Sequence, residues 1–176
     1  CLRYEKNSEL ADKIRKDAHE SWHRLLSRVS VKGTTEQKRN VYTCLYHLYI
    51  QPNNIADNGE KLYSTFSLWD TYRAANPFYT VLNPEMVDPF INSMLAQYDK
   101  QGYLPIWPLW GSETHCMIGN HAIPTIVEAY MKGFRGFDVK RAWEAVKTSL
   151  TANHPRSSRF DLLDKYGYCP VDIMER

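Results

Sequence analysis

NPEMVDPFINSMLAQYDKQG, Asn83 to Gly102, is the stretch that decides the fold class. Asn83 before Pro84 reads as an N-cap with proline at the first helical position, where the missing N–H costs nothing and the fixed φ suits a helix. Val87, Phe90, Ile91, Met94, Leu95 and Tyr98 then recur at spacings of three and four, which places them on one face. Gly102 closes the helix, because glycine takes the left-handed conformation at a C-terminus without strain.

The same period runs outward in both directions. With Ser8 as N-cap, Leu10, Ile14, Ala18, Trp22, Leu25, Leu26 and Val29 form the stripe of a long first helix that ends at Val31-Lys32-Gly33. Thr34 and Gln37 spell a capping box, and Val41, Cys44, Leu45 and Leu48 supply the buried face of the next helix. Gln51 to Lys61 is a polar loop, and Ser67 to Val81 reads as helical. Leu104 to Asn120 does not, with two prolines, two glycines and two tryptophans crowded together. His121 to Lys132 is helical, with Ile123, Ile126, Val127 and Tyr130 inward and Gly133 at its end. Asp138 caps a helix through about Leu150 that turns Ala142, Trp143 and Val146 inward, and a short helical turn spans Phe160 to Asp164. No strand pair and no β-hairpin signal is legible. The class is all-α, and periodicity alone fits either a bundle or a slice of a helical toroid. Loops rich in aromatic and polar residues favour the toroid, in which the loops at one end build the site.

The chain has 176 residues, 43% of them apolar, enough for one domain with a core or for a piece of one. Its net charge of +2 comes from 22 basic and 20 acidic residues mixed along the chain. That pattern predicts neither a nucleic-acid partner nor a membrane surface. No segment approaches the roughly 18 apolar residues of a bilayer span, and the N-terminus lacks a basic-then-apolar leader pattern. Opening at Cys1 directly into polar sequence, the chain is expected to be cut from a larger protein. Cys1, Cys44, Cys116 and Cys169 form no C-x-x-C pair, so free thiols are expected rather than a zinc knuckle, a redox motif or a disulfide framework.

Three constellations could carry chemistry. His19-Glu20-Ser21-Trp22-His23 matches H-E-x-x-H, in which two histidines one turn apart bind zinc and the glutamate acts as base. Here both histidines point away from the apolar stripe, and Leu26 stands where the longer zinc-peptidase pattern needs glycine. In Phe66-Ser67-Leu68-Trp69-Asp70-Thr71-Tyr72-Arg73, a carboxylate, a hydroxyl and a guanidinium share one turn with aromatic rings. A pyranose asks for that combination, since its hydroxyls need charged acceptors and donors while its C–H face packs on a ring. The plainer reading is Asp70 as an N-cap, or an Asp70–Arg73 ion pair of small energetic weight. Finally, the segment from Leu104 to His121 sets Trp107 and Trp110, held by prolines, beside Glu113, Thr114, His115 and His121. It reads either as an aromatic sugar platform or as core anchors under a loop.

Phe66 to Arg73 and Leu104 to His121, taken with Asn92 to Tyr98 and Lys132 to Asp138, resemble glycoside hydrolase family 92, the bacterial exo-acting α-mannosidases. F-S-L-W-D-T-x-R and L-P-x-W-P-L-W-G-x-E-T-x-C-M-I-G-x-H carry the resemblance, which extends from the Tyr42 to His47 segment to the Asp138 helix. It departs from the family pattern at Ser112, His115 and Asn120. The resemblance implies an N-terminal β-sandwich joined to an (α/α)6 toroid, with residues 1–176 forming the early toroid helices of one catalytic domain and neither the sandwich nor the toroid's remainder included. It implies calcium-assisted inversion, in which one carboxyl protonates the leaving oxygen and another activates water. Terminal mannose, α-1,2-linked, is the implied substrate, and a bacterial periplasm or cell surface the implied location. Trp69 and Asp70 fall on positions that resemble the terminal-mannose wall, and Arg73, Trp107, Trp110, Glu113, Thr114 and His121 are expected to line or brace it. The general acid, the base and the calcium ligands are expected beyond Arg176, so no catalytic or metal-binding residue is expected in this chain, and it is expected to be inactive alone. Incomplete packing predicts exposed apolar helix faces and self-association. A zinc peptidase and a non-catalytic glycan-binding helical module are the alternatives.

Overall fold

A computed structural model describes residues 4–57, 59–153 and 159–174, with side chains from Leu10 onward. It divides into two compact units, Cys1–Ile50 and Gln51–Arg176.

The first unit is a helical pair, α1 (Tyr4–Leu26) and α2 (Thr35–Leu48). Helix α1 already includes Ser8, so the expected cap lies inside the helix. The capping box at α2 forms as expected: Gln37 N donates to Thr34 Oγ1, and Thr34 N to Gln37 Oε1. Contacts between the helices gather at the C-terminal end of α1, where Trp22 packs on Tyr46 at 4.7 Å and the Tyr42 hydroxyl donates to Val29 O at 2.9 Å. Only Leu45 of the expected α2 face is fully buried, while Val41 and Cys44 are exposed. Leu10 and Ile14 are 55% and 59% exposed. Their stripe is apolar as read, yet nothing within this unit covers its N-terminal half.

The second unit is organised around α5 (Pro84–Gln101), which runs from proline at its start to Gly102 at φ 84°. Val87, Phe90, Ile91, Met94 and Leu95 are buried, and Tyr98 is half-buried with its hydroxyl 3.3 Å from Thr148 Oγ1. Packed on α5 are α4 (Ala75–Leu82), α6 (Ala122–Met131) and α7 (Val139–Thr151). Short α3 (Leu68–Thr71) precedes α4, and α8 (Phe160–Tyr166) and α9 (Val171–Met174) follow α7.

In this second unit three expectations need correction. The predicted helix from Ser67 to Val81 is broken between α3 and α4. Pro77 has no N–H to bond the Arg73 carbonyl, and its ring would strike that carbonyl if the helix ran on. Two small antiparallel pairs also form: β1 (Asn53–Asn54) with β2 (Tyr63–Ser64), and β3 (Pro108–Leu109) with β4 (Ser112–Glu113). Their strands are too short for an alternating pattern to show in sequence. Lastly, α6 and α7 bury their small residues, Ala122, Thr125 and Ala129 with Ile126 in one, Ala142, Ala145 and Ser149 with Val146 in the other. Val127, Tyr130 and Trp143, expected inward, are exposed, Trp143 to 60%. They line an open apolar groove of about 370 Å³. Small residues let helices approach closely, so in this unit they win the contact over the larger apolar side chains.

Buried serines tie the irregular segments to this frame. Ser93 Oγ on α5 donates to Pro89 O and accepts from Tyr63 N at 2.8 Å, holding β2. Ser64 Oγ accepts from Gly111 N, and Ser149 Oγ from Leu104 N, each at 2.8 Å, which anchors both ends of the loop that carries Trp107. Cys44, Cys116 and Cys169 are free and exposed; Cys1 lies outside the described residues.

Candidate functional site

The two sugar-like constellations meet at Ser67. Trp107 Nε1 donates to Ser67 Oγ at 2.9 Å, and Ser67 Oγ donates in turn to Asp70 Oδ2 through a short contact. Ser67 occupies the N-cap position of α3 but makes no side-chain cap bond there; its hydroxyl crosses to the carboxylate instead. Asp70 is therefore neither an N-cap nor, among the described residues, part of an ion pair with Arg73. Its carboxylate is exposed, with Trp69 beside it at 39% exposure.

Glu113 secures the other half. One of its oxygens accepts from Ile106 N at 2.7 Å and Trp107 N at 3.2 Å, the other from Trp107 N at 3.1 Å, Thr114 N at 3.0 Å and His115 N at 3.3 Å. The Thr114 hydroxyl donates to Trp107 O at 2.8 Å. The N–H and C=O of Trp107 are thus held by β4 and the residue after it, which fixes the backbone from which the indole projects. Glu113 also raises the Tyr103 pKa, second to burial of that phenol.

His121 closes the cluster from the start of α6. Its ring lies edge-on to Trp69 at 5.1 Å and tilted on Tyr72 at 4.3 Å, and Arg73 Nε donates to the Tyr72 hydroxyl at 2.7 Å. Burial, and secondarily the positive Arg73, push the His121 pKa below its ordinary value, which favours the neutral ring. Gly119, at φ 93°, leaves the space the ring fills: a Cβ there would come within 2.1 Å of it.

Asp70, Trp69, Trp107, Glu113, Thr114, Arg73 and His121 therefore share one neighbourhood. Trp110 stands apart from it. It is 72% exposed on the β3–β4 turn at φ 50°, and lines a separate groove with Ile55, Leu62 and Lys100. Ser67 was not among the residues expected to matter. The signal was present in Ser67-Leu68-Trp69-Asp70, an S-x-x-D spacing that ordinarily marks a helix start. His19 and His23 stack at 6.3 Å on the exposed face of α1, and among the described residues no three His, Cys, Asp or Glu side chains gather to hold an ion. No helix among the described residues is long and apolar enough to cross a membrane.

Residues 2–176 match the glycosyl hydrolase family 92 catalytic domain. Among solved structures, the chain is similar to a family GH92 alpha-mannosidase from Bacteroides thetaiotaomicron, with 34% identity and a TM-score of 0.81 over 92% of this chain and 24% of that one. A structure of the same alpha-mannosidase in complex with mannoimidazole gives 34% identity and a TM-score of 0.81, over 92% of this chain and 23% of that one. An inverting mannosidase of the same family from Bacteroides thetaiotaomicron VPI-5482 gives 30% identity and a TM-score of 0.80, over 91% and 25% of the two chains. The chain thus spans about a quarter of the length of the solved proteins it matches. No curated protein sequence matches it.

Proposed function

The chain belongs to glycosyl hydrolase family 92, and from that premise we propose that it is a segment of an inverting, calcium-dependent α-mannosidase that removes terminal α-1,2-linked mannose from glycans. In this reading residues 1–176 are early helices of one (α/α)6 catalytic domain. The observation that carries it is the exposed Trp69–Asp70 pair, held from behind by a second segment through Trp107 and Ser67. Asp70 accepts hydrogen bonds from sugar hydroxyls, and Trp69 offers an apolar surface to the ring's C–H face. The solved relative that binds mannoimidazole supports the substrate class, and the relative described as inverting supports the stereochemistry.

Inversion needs two carboxyl groups across the sugar, roughly 6.5–9.5 Å apart, one to protonate the leaving oxygen and one to activate water. Glu113 fills neither role, because both its oxygens already accept backbone N–H groups. The general acid, the base and the calcium ligands come from residues outside this chain. Alone, the chain binds no ion, turns over no mannoside and associates through its exposed apolar faces.

The test is hydrolysis of an α-1,2-mannobiose by the intact enzyme that carries this segment, followed by NMR. β-Mannose should appear first, chelation should abolish turnover, and Asp70→Asn should lower kcat/KM by about ten- to a hundredfold, the weight of one hydrogen bond to a charged group. Initial release of α-mannose, turnover that survives chelation, or an unimpaired Asp70→Asn enzyme would each overturn the corresponding part of the reading.

A further inference from the structure

Resting on the reading of Asp70 as the sugar-hydroxyl acceptor, we infer that Ser67, locked by Trp107 and Glu113, is a positioning residue that fixes the orientation of the Asp70 carboxylate.

The direction of every proton in the chain of contacts is determined. An indole N–H can only donate, so Ser67 Oγ must accept from Trp107 Nε1. With that lone pair occupied, the single hydroxyl proton of Ser67 goes to its other neighbour, Asp70 Oδ2. One acceptor site of Oδ2 is thereby taken, which sets the plane of the carboxylate and leaves Oδ1 for the ligand. A free serine hydroxyl rotates to suit whatever surrounds it; this one has a single setting.

The backbone that carries the indole is itself held in place. Trp107 N donates to both oxygens of Glu113, Trp107 O accepts from the Thr114 hydroxyl, and Glu113 also accepts from the amides of Ile106, Thr114 and His115. The order Glu113, Trp107, Ser67, Asp70 thus runs from a carboxylate fully engaged with backbone to one with a side open to solvent. Asp70 lies at the exposed end on a four-residue helix, where a lone carboxylate would sample several rotamers. Binding would then bear the cost of ordering it, and groups already held in the productive geometry avoid that loss.

Ser67 and Glu113 therefore serve the reaction without touching sugar. Ser67→Ala should leave the melting temperature of the intact enzyme within a degree or two of its parent and lower kcat/KM for α-1,2-mannobiose by about tenfold. Ser67→Thr, which keeps the hydroxyl, should restore most of the loss. In an Asp70→Asn background, Ser67→Ala should cost almost nothing more, because the carboxylate it orients is gone. Trp107→Phe, which removes the indole donor together with part of the ring, should lower kcat/KM in the same direction, and the share of its loss that runs through Ser67 should vanish in that background.

An impaired Asp70→Asn enzyme with a fully active Ser67→Ala enzyme would overturn the positioning role and leave Asp70 standing. Fully additive losses, or no rescue by threonine, would overturn it as well. An unimpaired Asp70→Asn enzyme would instead remove the underlying reading of the site.

Discussion

At the residue scale, acidic side chains of similar appearance in sequence have divergent surroundings. Asp70 presents its carboxylate to solvent, whereas Glu113 turns into its own loop and satisfies four backbone N–H groups. Glutamine at 113 keeps one acceptor and sets an amide NH₂ against the other donors, at a cost of roughly 1.5–3 kcal/mol for the lost charged bonds. Hydrogen exchange at Ile106, Trp107 and Thr114 should accelerate in Glu113→Gln of the intact enzyme; unchanged protection there would mean the loop is held by something else. His121 adds a pH dependence. Its pKa is below the ordinary 6.5, first through burial and then through Arg73. Above 6.5 both folded and unfolded forms are neutral and stability is unaffected. As pH falls through 6.5 the unfolded chain gains a proton that the folded one resists, so stability declines until the folded ring is protonated too. Thermal midpoints followed from pH 7.5 to 5 should fall less steeply for His121→Gln than for the parent enzyme.

At the element scale, the ends of helices are mostly where local chemistry puts them. Asp138 accepts from Arg141 N at 3.0 Å, Thr34 and Gln37 complete their box, and Gly133 sits at φ 93° just past α6. Asp138→Ala should cost α7 about 1 kcal/mol, seen as faster exchange at the Arg141 amide with no change at the α2 amides. Local reading failed where the determining contact was not local. The S-x-x-D of Ser67 and Asp70 has the spacing of a cap but serves a tryptophan 40 positions away. Strands β1 to β4 each have two residues; Ser93 holds the β2 backbone at Tyr63, and Ser64 holds the β3–β4 turn at Gly111.

At the scale of the whole molecule, the surfaces left uncovered matter most. In the second unit, Val127, Tyr130, Met131 and Trp143 are exposed on α6 and α7. Contiguous apolar surface of this kind drives association in water. The isolated chain should accordingly show a concentration-dependent rise in mass by light scattering, and Val127→Glu with Trp143→Glu should reduce it. A monodisperse monomer at all concentrations would rule this out.

The sequence by itself determined the helical class, several helix ends and the two aromatic-acidic segments, because caps, proline and glycine act through hydrogen bonds and dihedrals only a few residues apart. It also carried the family, since motifs of that length are specific before any folding is considered. Which face of α6 and α7 is buried, and which residues hold Asp70, were decided only by the tertiary structure. An apolar side chain is buried only if a partner reaches it, and Ser67 has one fixed hydroxyl direction only once Trp107 arrives from the far side of α5 in the chain.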